Sequence, residues 1–549
     1  MPKFNKEKNV HSLNYFLLIL LWIALPEILF LIINWELERF FLNTVAFFSL
    51  FLFPTFLFKN HLRLYAICLL PIVLVGVMNI FCIYYYNMPI VDSVVILLFN
   101  TDLQESTELI KGYIWPIIIT TIVYIAVYGF LVTKIKDKIT SKKALSFSII
   151  SLLIILIIPF ANNSNKNYKQ KLASRYYTIF PISVLYSIKA VKAQYNLLNK
   201  YAPIKNAFKF NAIQDGNIND QQIHILVVGE SASFYHWTAS GYHRKTTPRI
   251  DTTSNLYLFN NTHSVGFITE FALPIMLTGI DSDKFEEHSK QKSILSAFAE
   301  TGFKTYWIST HLESGYIKSH SDEASEKVLI TNFDYQTKNF RDDSYLLKQL
   351  DSVINALGKK KFIVLHIYGS HYDYSTRYPE KFDVFKPSNK TVFTKATDRK
   401  NKQVIINSYD NSILYTDYIL DSVIKRVKKE TVNSAILYMS DHGENLFDDQ
   451  RNLSQHSYTE PSKFISSIPF FIWTSDKFKT DFPNKINAIK TNLHKRNSTE
   501  NLLYTFTDLV GIHHRLSDST KSLSSLAFKE RQTYILGDGF KRFNTDSLK

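Results

Sequence analysis

Residues 433–447 read NSAILYMSDHGENLF, a short apolar run that ends in Asp441-His442-Gly443-Glu444. An almost continuous apolar run of this length predicts a strand buried on both faces by helices. Four more runs of the same kind predict strands at Ile223–Val228, Lys304–Ser309, Lys361–Ile367 and Ile468–Trp473. Helical spacing of apolar residues predicts helices at 291–301, 342–357 and 405–429. The alternation argues for an α/β domain with a mostly parallel central sheet, whose functional groups collect at the carboxyl ends of the strands. Those ends are polar in a consistent way. The first strand runs into Gly229-Glu230-Ser231, the third into Gly369-Ser370-His371, and the fourth into Asp441-His442. A Glu, an Asp and a His from adjacent strand ends make a mixed oxygen and nitrogen set suited to Zn²⁺ or Mn²⁺.

N-terminal to this domain the chain changes character. Up to residue 160 there are 12 Lys and Arg against 9 Asp and Glu, a net of +3, which leaves +12 of the total +15 for the rest. Five apolar stretches, at 12–35, 40–58, 64–87, 114–133 and 144–160, each approach the ~20 residues a helix needs to cross a bilayer. Lysines and arginines gather before the first stretch and after the second and fourth (Lys3, Lys6, Lys8; Lys59, Arg63; Lys134 to Lys143). The positive-inside rule then sets the N-terminus in the cytoplasm and everything after residue 160 outside. The reading is a five-helix membrane domain over 1–160, a connector over 161–222 with an amphipathic helix at 181–200, and an exported domain over 223–549. Both cysteines, Cys68 and Cys82, fall in the membrane part, so the exported domain has none to pair. An exported domain with no basic-aromatic motif makes nucleic acid a poor partner.

Six strings carry a family resemblance: VVGES at 227–231, SGYHRKTTPRI at 240–250, GFITEFALPIM at 266–276, LHIYGSHYDYSTRYP at 365–379, NSYDNSILYTDYIL at 407–420 and YMSDHGENLF at 438–447. With the five spans, the chain resembles the phosphoethanolamine transferases of lipid A and lipopolysaccharide core, membrane members of the alkaline phosphatase and sulfatase superfamily. The resemblance implies a sulfatase-like exported fold in which Glu230, Asp441 and His442 bind zinc. It makes Thr269 the nucleophile, which also touches that metal. It makes His371 and His456 the histidines that hold the transferred phosphate or a second metal, with acid or base work falling to one of them. Glu105, in the outer loop, would meet the ammonium group of the donor. Phosphatidylethanolamine is the implied donor, and a phosphate or hydroxyl of lipid A or core sugar the acceptor, at the periplasmic face of the inner membrane.

The chemistry of these residue types agrees. A threonine hydroxyl is a weak nucleophile that a bound metal activates, and a cation offsets charge on phosphoryl oxygens in the transition state. Thr269 lies ahead of Pro274, where a helix would start, so it also reads as a helix cap. Ser231, beside Glu230, is the rival nucleophile. The chain departs from the family where relatives often carry cysteines, here Val265 and Ile275, which predicts a less constrained turn. It departs again after the strand at 304–309, where Thr310-His311-Leu312-Glu313 stands in place of Asn residues and a Lys. The nearest rival function is a phosphoglycerol transferase of the lipoteichoic-acid-synthase kind. A sulfate-ester hydrolase would need Cys or Ser two residues before Pro and four before Arg, a string that does not occur. An inactive membrane scaffold would have no physical reason to keep Glu230, Thr269, His371, Asp441, His442 and His456 together.

Overall fold

The computed structural model describes residues 4–549 except 34–36, 87–88, 92–93, 97–113, 137, 162–175, 177–178, 216–219, 312, 314, 331–332, 335–338, 341, 393–398, 457–460 and 538–539. Glu105 and the polar start of the connector lie outside the described residues. The chain forms two compact units, one running to Ala193 and the other from Gln194 to Lys549.

The first unit is helical: α1 (Phe4–Ile33), α2 (Leu37–Leu52), α3 (Leu62–Cys68), α4 (Leu70–Tyr86), α5 (Ile114–Lys134) and α6 (Ser141–Ile157). Among the described residues, Ser12–Ile32, Arg39–Phe56, Ile114–Lys134 and Ser141–Phe160 are long and apolar enough to cross a membrane. The third expected span is broken into α3 and α4, bent by 41°. Pro71 explains the break: it has no N–H, and its ring crowds the carbonyl four residues earlier. In an apolar setting backbone and polar groups need internal partners, and two side chains of the first span find them. Trp22 stacks on Tyr124 at 5.3 Å and donates to its carbonyl at 3.1 Å. Glu27, the one acid of the first span, accepts from Asn43 Nδ2 at 3.0 Å and from the backbone N–H of Phe180 at 2.8 Å. A further helix, α7 (Ile182–Ala207), is the connector helix expected at 181–200, longer than its pattern suggested, with Val184, Ser187 and Val191 as a buried stripe.

The second unit is built on a seven-stranded sheet. Its strands are β1 (Gln222–Gly229), β2 (Leu256–Phe259), β3 (Lys304–Ser309), β4 (Glu326–Leu329), β5 (Lys360–His366), β6 (Asn433–Ser440) and β7 (Phe470–Thr474), in the spatial order β2-β7-β6-β1-β5-β3-β4. The five expected strands are all present. The edge strands β2 and β4 were not anticipated, because both are only four residues long and half-buried. The sheet is mixed: β6, β1, β5, β3 and β4 run parallel, whereas β7 pairs antiparallel with β6 and with β2. A parallel neighbour needs a crossover that carries the chain back to the other end of the sheet. β7 instead starts level with the carboxyl end of β6, and the chain returns along it antiparallel.

Alternation along β1 sends Ile223, Ile225 and Val227 to one face and Leu226 and Val228 to the other. On the first face lie α11 (Ser344–Ile354) and α12 (Lys402–Lys429); on the second lie α8 (Thr269–Thr278), α9 (Ile294–Glu300) and the helix Leu502–Leu509. Phe298 of α9 stacks on Phe362 of β5 at 3.8 Å and 9°, with both rings fully buried. Each such ring contributes about 1.5–3 kcal/mol by leaving water. α10 (Gly315–Ser321) follows β3. The register decides what comes next: Gly229 is level with Ser440, Val228 with His366, and His366 with Ser309. The carboxyl ends of the four central strands therefore finish on one line.

An imidazole sits near the amino ends of these apolar strands. His224 Nδ1 accepts the N–H of Ala435 at 3.2 Å, so its proton is on Nε2, which lies 3.2 Å from Gln222 Oε1. Burial, with the Lys360 charge adding to it, pushes its pKa down to about 3. The folded value lies below the unfolded one, so its stability contribution is full above pH 6.5 and is lost as pH falls toward 3. Relative to His224→Gln, the wild type should lose on the order of 2–4 kcal/mol between pH 7 and pH 3.5. Denaturant unfolding of both proteins across that range measures it, and parallel pH profiles would contradict the assignment.

Candidate active site

The line of strand ends becomes a site because each exit turn is held by the next element. After β1, Ser231 adopts a positive φ of 55°. The hydroxyl of Tyr409, on α12, clamps that turn by donating to the Ser231 carbonyl at 2.7 Å and accepting from the Ser233 N–H at 2.8 Å. Asp441 Oδ1 accepts from the N–H groups of Ser231 (3.1 Å) and His442 (2.7 Å), which joins the β1 and β6 exits. Asp343 joins the other two: it accepts from the N–H groups of Tyr368 and Gly369 at 2.8 and 2.9 Å and from Thr310 Oγ1 at 2.8 Å.

Within this frame Glu230, Asp441 and His442 each bring one donor atom to within 4.8 Å of the others. Glu230 Oε1 lies 3.5 Å from His442 Nε2, and Asp441 Oδ2 lies 3.4 Å from the same nitrogen. All three side chains are buried. His442 Nδ1 donates to the Gly443 carbonyl at 2.8 Å, so Nε2 carries the lone pair and faces the carboxylates. Burial, reinforced by the Asp441 charge, pushes the Glu230 carboxyl well above its ordinary range, and burial pushes His442 down. Among the described residues, Asp441 Oδ2 and His442 Nε2 have no hydrogen-bond partner. Two buried donors with free lone pairs, next to a third, are the state of metal ligands and not of capping or core-filling groups. The residues fit a divalent ion such as zinc.

Thr269 is the first residue of α8, after Ile268 as the cap, so it is not itself the capping residue. Its Oγ1 donates to Glu230 Oε2 at 3.0 Å, and the residue is half-exposed. Ser231, the rival, is fully buried and its hydroxyl donates to Glu230 Oε1 at 2.7 Å. An incoming substrate therefore meets Thr269. The turn before it, where relatives often carry cysteines, is held by packing and backbone bonds. Val265 and Ile275 are fully buried, the Val265 carbonyl accepts from Leu536 N–H at 2.7 Å, and Ser264 N–H donates to the Ser466 carbonyl at 2.7 Å. Gly266 completes it, since a Cβ there would sit 2.3 Å from the Ala272 nitrogen.

His371 and His456 are brought to the same place. Their rings are 6.2 Å apart, and the His456 ring is 4.3 Å from that of His442. His456 Nδ1 is 3.2 Å from Glu444 Oε2, and His371 Nδ1 donates to the Tyr372 carbonyl at 2.7 Å. Burial lowers both imidazoles, His456 to about 4. Glu444, the last letter of DHGE, was given no role by its sequence. His311 and His366 also border Glu230 and were missed, because one sits among residues that depart from the family and the other ends an apolar strand. The strings at 240–250 and 407–420 supply scaffold. Asp410 binds His236 (2.7 Å), Tyr242 (3.0 Å) and Arg244 (2.7 Å), while Asp417 accepts from Arg249 Nη1 at 3.0 Å and Ile250 N–H at 2.9 Å. These bonds press the loop after β1 onto α12, which holds Tyr409 in place.

Comparison with known proteins adds the following. The sulfatase family profile matches residues 222–512. Phosphoethanolamine transferase EptC of Escherichia coli K12 is 28% identical over 521 residues, covering 91% of this chain and 89% of that one. The crystal structure of the C-terminal periplasmic domain of E. coli EptC in complex with Zn matches with a TM-score of 0.55 at 28% identity, covering 62% of this chain and 96% of that one. The integral membrane lipooligosaccharide phosphoethanolamine transferase A of Neisseria meningitidis shares the fold across 93% of this chain and 98% of its own, with a TM-score of 0.73 at 21% identity.

Gly369 offers a direct test of how tightly the frame is drawn. It has φ +50°, and a Cβ would stand 2.9 Å from the Glu230 carbonyl oxygen and 3.3 Å from Glu230 Cβ. Gly302 has φ +84° with nothing within 4 Å. Gly302→Ala should cost only backbone strain, about 1–3 kcal/mol. Gly369→Ala should cost more and also displace Glu230, which lowers metal affinity. Equal losses in denaturant unfolding, with metal affinity unchanged, would show that the close approach does nothing.

Proposed function

The chain belongs to the sulfatase family, and we propose that it is a membrane phosphoethanolamine transferase that works through a phospho-threonine intermediate on Thr269. What carries the reading is one observation: a half-exposed threonine hydroxyl, 3.0 Å from a buried carboxylate that shares its other oxygen with an Asp–His pair. The similarity to enzymes named phosphoethanolamine transferase, at 91% coverage of this chain, supports the transferred group. The apolar helices support a lipid donor, phosphatidylethanolamine. On this reading the chain sits in the inner membrane with its N-terminus in the cytoplasm and its catalytic unit in the periplasm. The acceptor is a phosphate or hydroxyl of lipid A or core sugar.

Glu230, Asp441 and His442, with Thr269 Oγ1, would hold a zinc ion, with Mn²⁺ as the alternative the donor set allows. When bound, the ion supplies Lewis acidity to the threonine oxygen and the phosphoryl group. The rest falls to the chain. Thr269 Oγ1 forms a bond to phosphorus as the bond from phosphorus to the diacylglycerol oxygen breaks, and Glu230 Oε2 is the atom placed to take up the hydroxyl proton. His456, oriented through Nδ1 by Glu444, presents a neutral Nε2 that can take over the threonine proton and pass it to the departing oxygen. His371 is placed to hold a phosphoryl oxygen. The N-terminus of α8 adds backbone N–H groups beside the anion on Thr269. In the second step the acceptor oxygen attacks the same phosphorus, Thr269 leaves, and the phosphate is masked by an ammonium group.

Expression of the wild type and of Thr269→Ala in a host lacking such enzymes, with mass spectrometry of envelope lipids and glycans, tests the reading. A phosphoethanolamine adduct on lipid A or core should be present with the wild type and absent with Thr269→Ala. An adduct that survives the substitution would remove Thr269 as nucleophile. A phosphoglycerol adduct would shift the assignment to the rival transferase.

A further inference from the structure

The helical unit holds a groove that the chemistry at the sheet does not use. Its volume is about 550 Å³, inside the ~300–1,000 Å³ usual for a ligand pocket. On α1 its wall is one stripe of the helix: Trp22, Leu25, Pro26, Leu29 and Phe30. α4 adds Ile80, Ile83 and Tyr84, and α5 adds Ile119, Thr120, Val123 and Tyr124. Among these described residues only Thr120 is neither aliphatic nor aromatic.

The floor of the groove is locked by a reciprocal pair. Pro26 has no N–H, so the Trp22 carbonyl four residues earlier lacks its helical donor. The Tyr124 hydroxyl takes that place, donating to the Trp22 carbonyl at 3.1 Å, and Trp22 Nε1 donates to the Tyr124 carbonyl at 3.1 Å. The two rings stack at 5.3 Å and 29°. Their polar atoms are thus committed to each other's backbone, and the surface they offer is apolar.

Depth identifies the ligand. The lining residues of α1 lie 3–11 positions before its last residue, Ile33; those of α4 lie 2–6 before Tyr86; those of α5 lie 5–10 after Ile114. At about 1.5 Å per residue the groove runs from about 3 to about 17 Å below these helix ends. That is the depth of one leaflet, half of a hydrocarbon core ~30 Å thick. Tyr84 and Trp115, 64% and 70% exposed near the same ends, suit the membrane interface, whereas Lys134 closes the far end of α5. The positive-inside rule makes the leaflet in question the outer one. At this depth there is no water to fill an apolar groove. A hydrocarbon chain of an outer-leaflet lipid matches it in length and polarity.

We propose that the groove among α1, α4 and α5 seats one acyl chain of the donor phospholipid. The site reads the chain and leaves the headgroup free for the exported unit, so it sets which chain lengths the enzyme prefers. The proposal rests on the reading of the protein as a transferase that draws on phosphatidylethanolamine.

The test uses the full-length protein in nanodiscs that contain phosphatidylethanolamine with a diazirine in mid-chain. After irradiation, peptide mapping should find the label on 22–30, 80–84 and 119–124 in severalfold excess over the exposed face of α6 at Ile149 and Leu153. Val123→Trp, which fills the groove, should cut that label severalfold. It should also raise KM for the donor roughly fivefold with kcat kept, the signature of lost ground-state binding. Ile149→Trp, on the lipid-facing side of α6, should match the wild type in both. Label spread evenly over α1 and α6 in the wild type, a result that needs no variant to fold, would overturn the groove and leave the transferase reading standing. So would a Val123→Trp protein that folds and keeps its label and KM. A wild type that labels in the groove but transfers no phosphoethanolamine would overturn the donor reading, and with it the role proposed for the chain.

Discussion

Everything at the carboxyl end of the sheet is arranged around placing two carboxylates, Glu230 and Asp441, side by side out of water. Burial and mutual repulsion both disfavour this, as the upward shift of Glu230 registers. The fold answers with hydrogen bonds from Ser231, Thr269 and the N–H groups of Ser231 and His442, and with imidazoles at the remaining oxygens. What is left over, free lone pairs on buried oxygen and nitrogen, is a demand for a cation. The scaffold thus holds the two carboxylates in place against their mutual repulsion.

That repulsion accounts for the scaffold's distribution of polar bonds. Tyr409 holds the Glu230 turn, Asp343 ties the ends of β3 and β5, and Asp410 and Asp417 press the loop 234–252 onto α12. Few of these groups can touch a substrate. They keep Glu230, His366 and Asp441 on the common line that strand register creates. In place of a disulfide, the turn before Thr269 has buried Val265 and Ile275 and a backbone pairing with Leu536. A covalent tie is only one way to remove conformational freedom.

In the helical unit the same accounting holds in an apolar setting. Glu27 is satisfied by Asn43 and by the backbone at Phe180, just ahead of α7. A lone acid in a span thus serves as an anchor for the chain that leaves the membrane part. Of the net +12 after residue 160, +6 comes from six basic residues between 161 and 193 that no acid offsets, so the basic surplus gathers in the connector ahead of the second unit.

Much of this was legible in the residues. Long apolar runs dictate spanning helices because unpaired backbone is intolerable in lipid. Short apolar runs ending in Glu, Asp and His dictate buried strands with a polar edge, and five strands and the grouping of Glu230, Asp441 and His442 followed, whereas Thr269 came from the family resemblance alone. Local pattern could not show the direction of β7, the bend at Pro71, or the short edge strands, because these depend on where the chain returns. Nor could it show that Ser231 is sealed while Thr269 is open, that Glu444 orients His456, or that His311 and His366 border Glu230. Periodicity reports what each residue prefers along its own segment. Which residues meet is decided by register across strands far apart in the chain, and only the folded sheet sets that register.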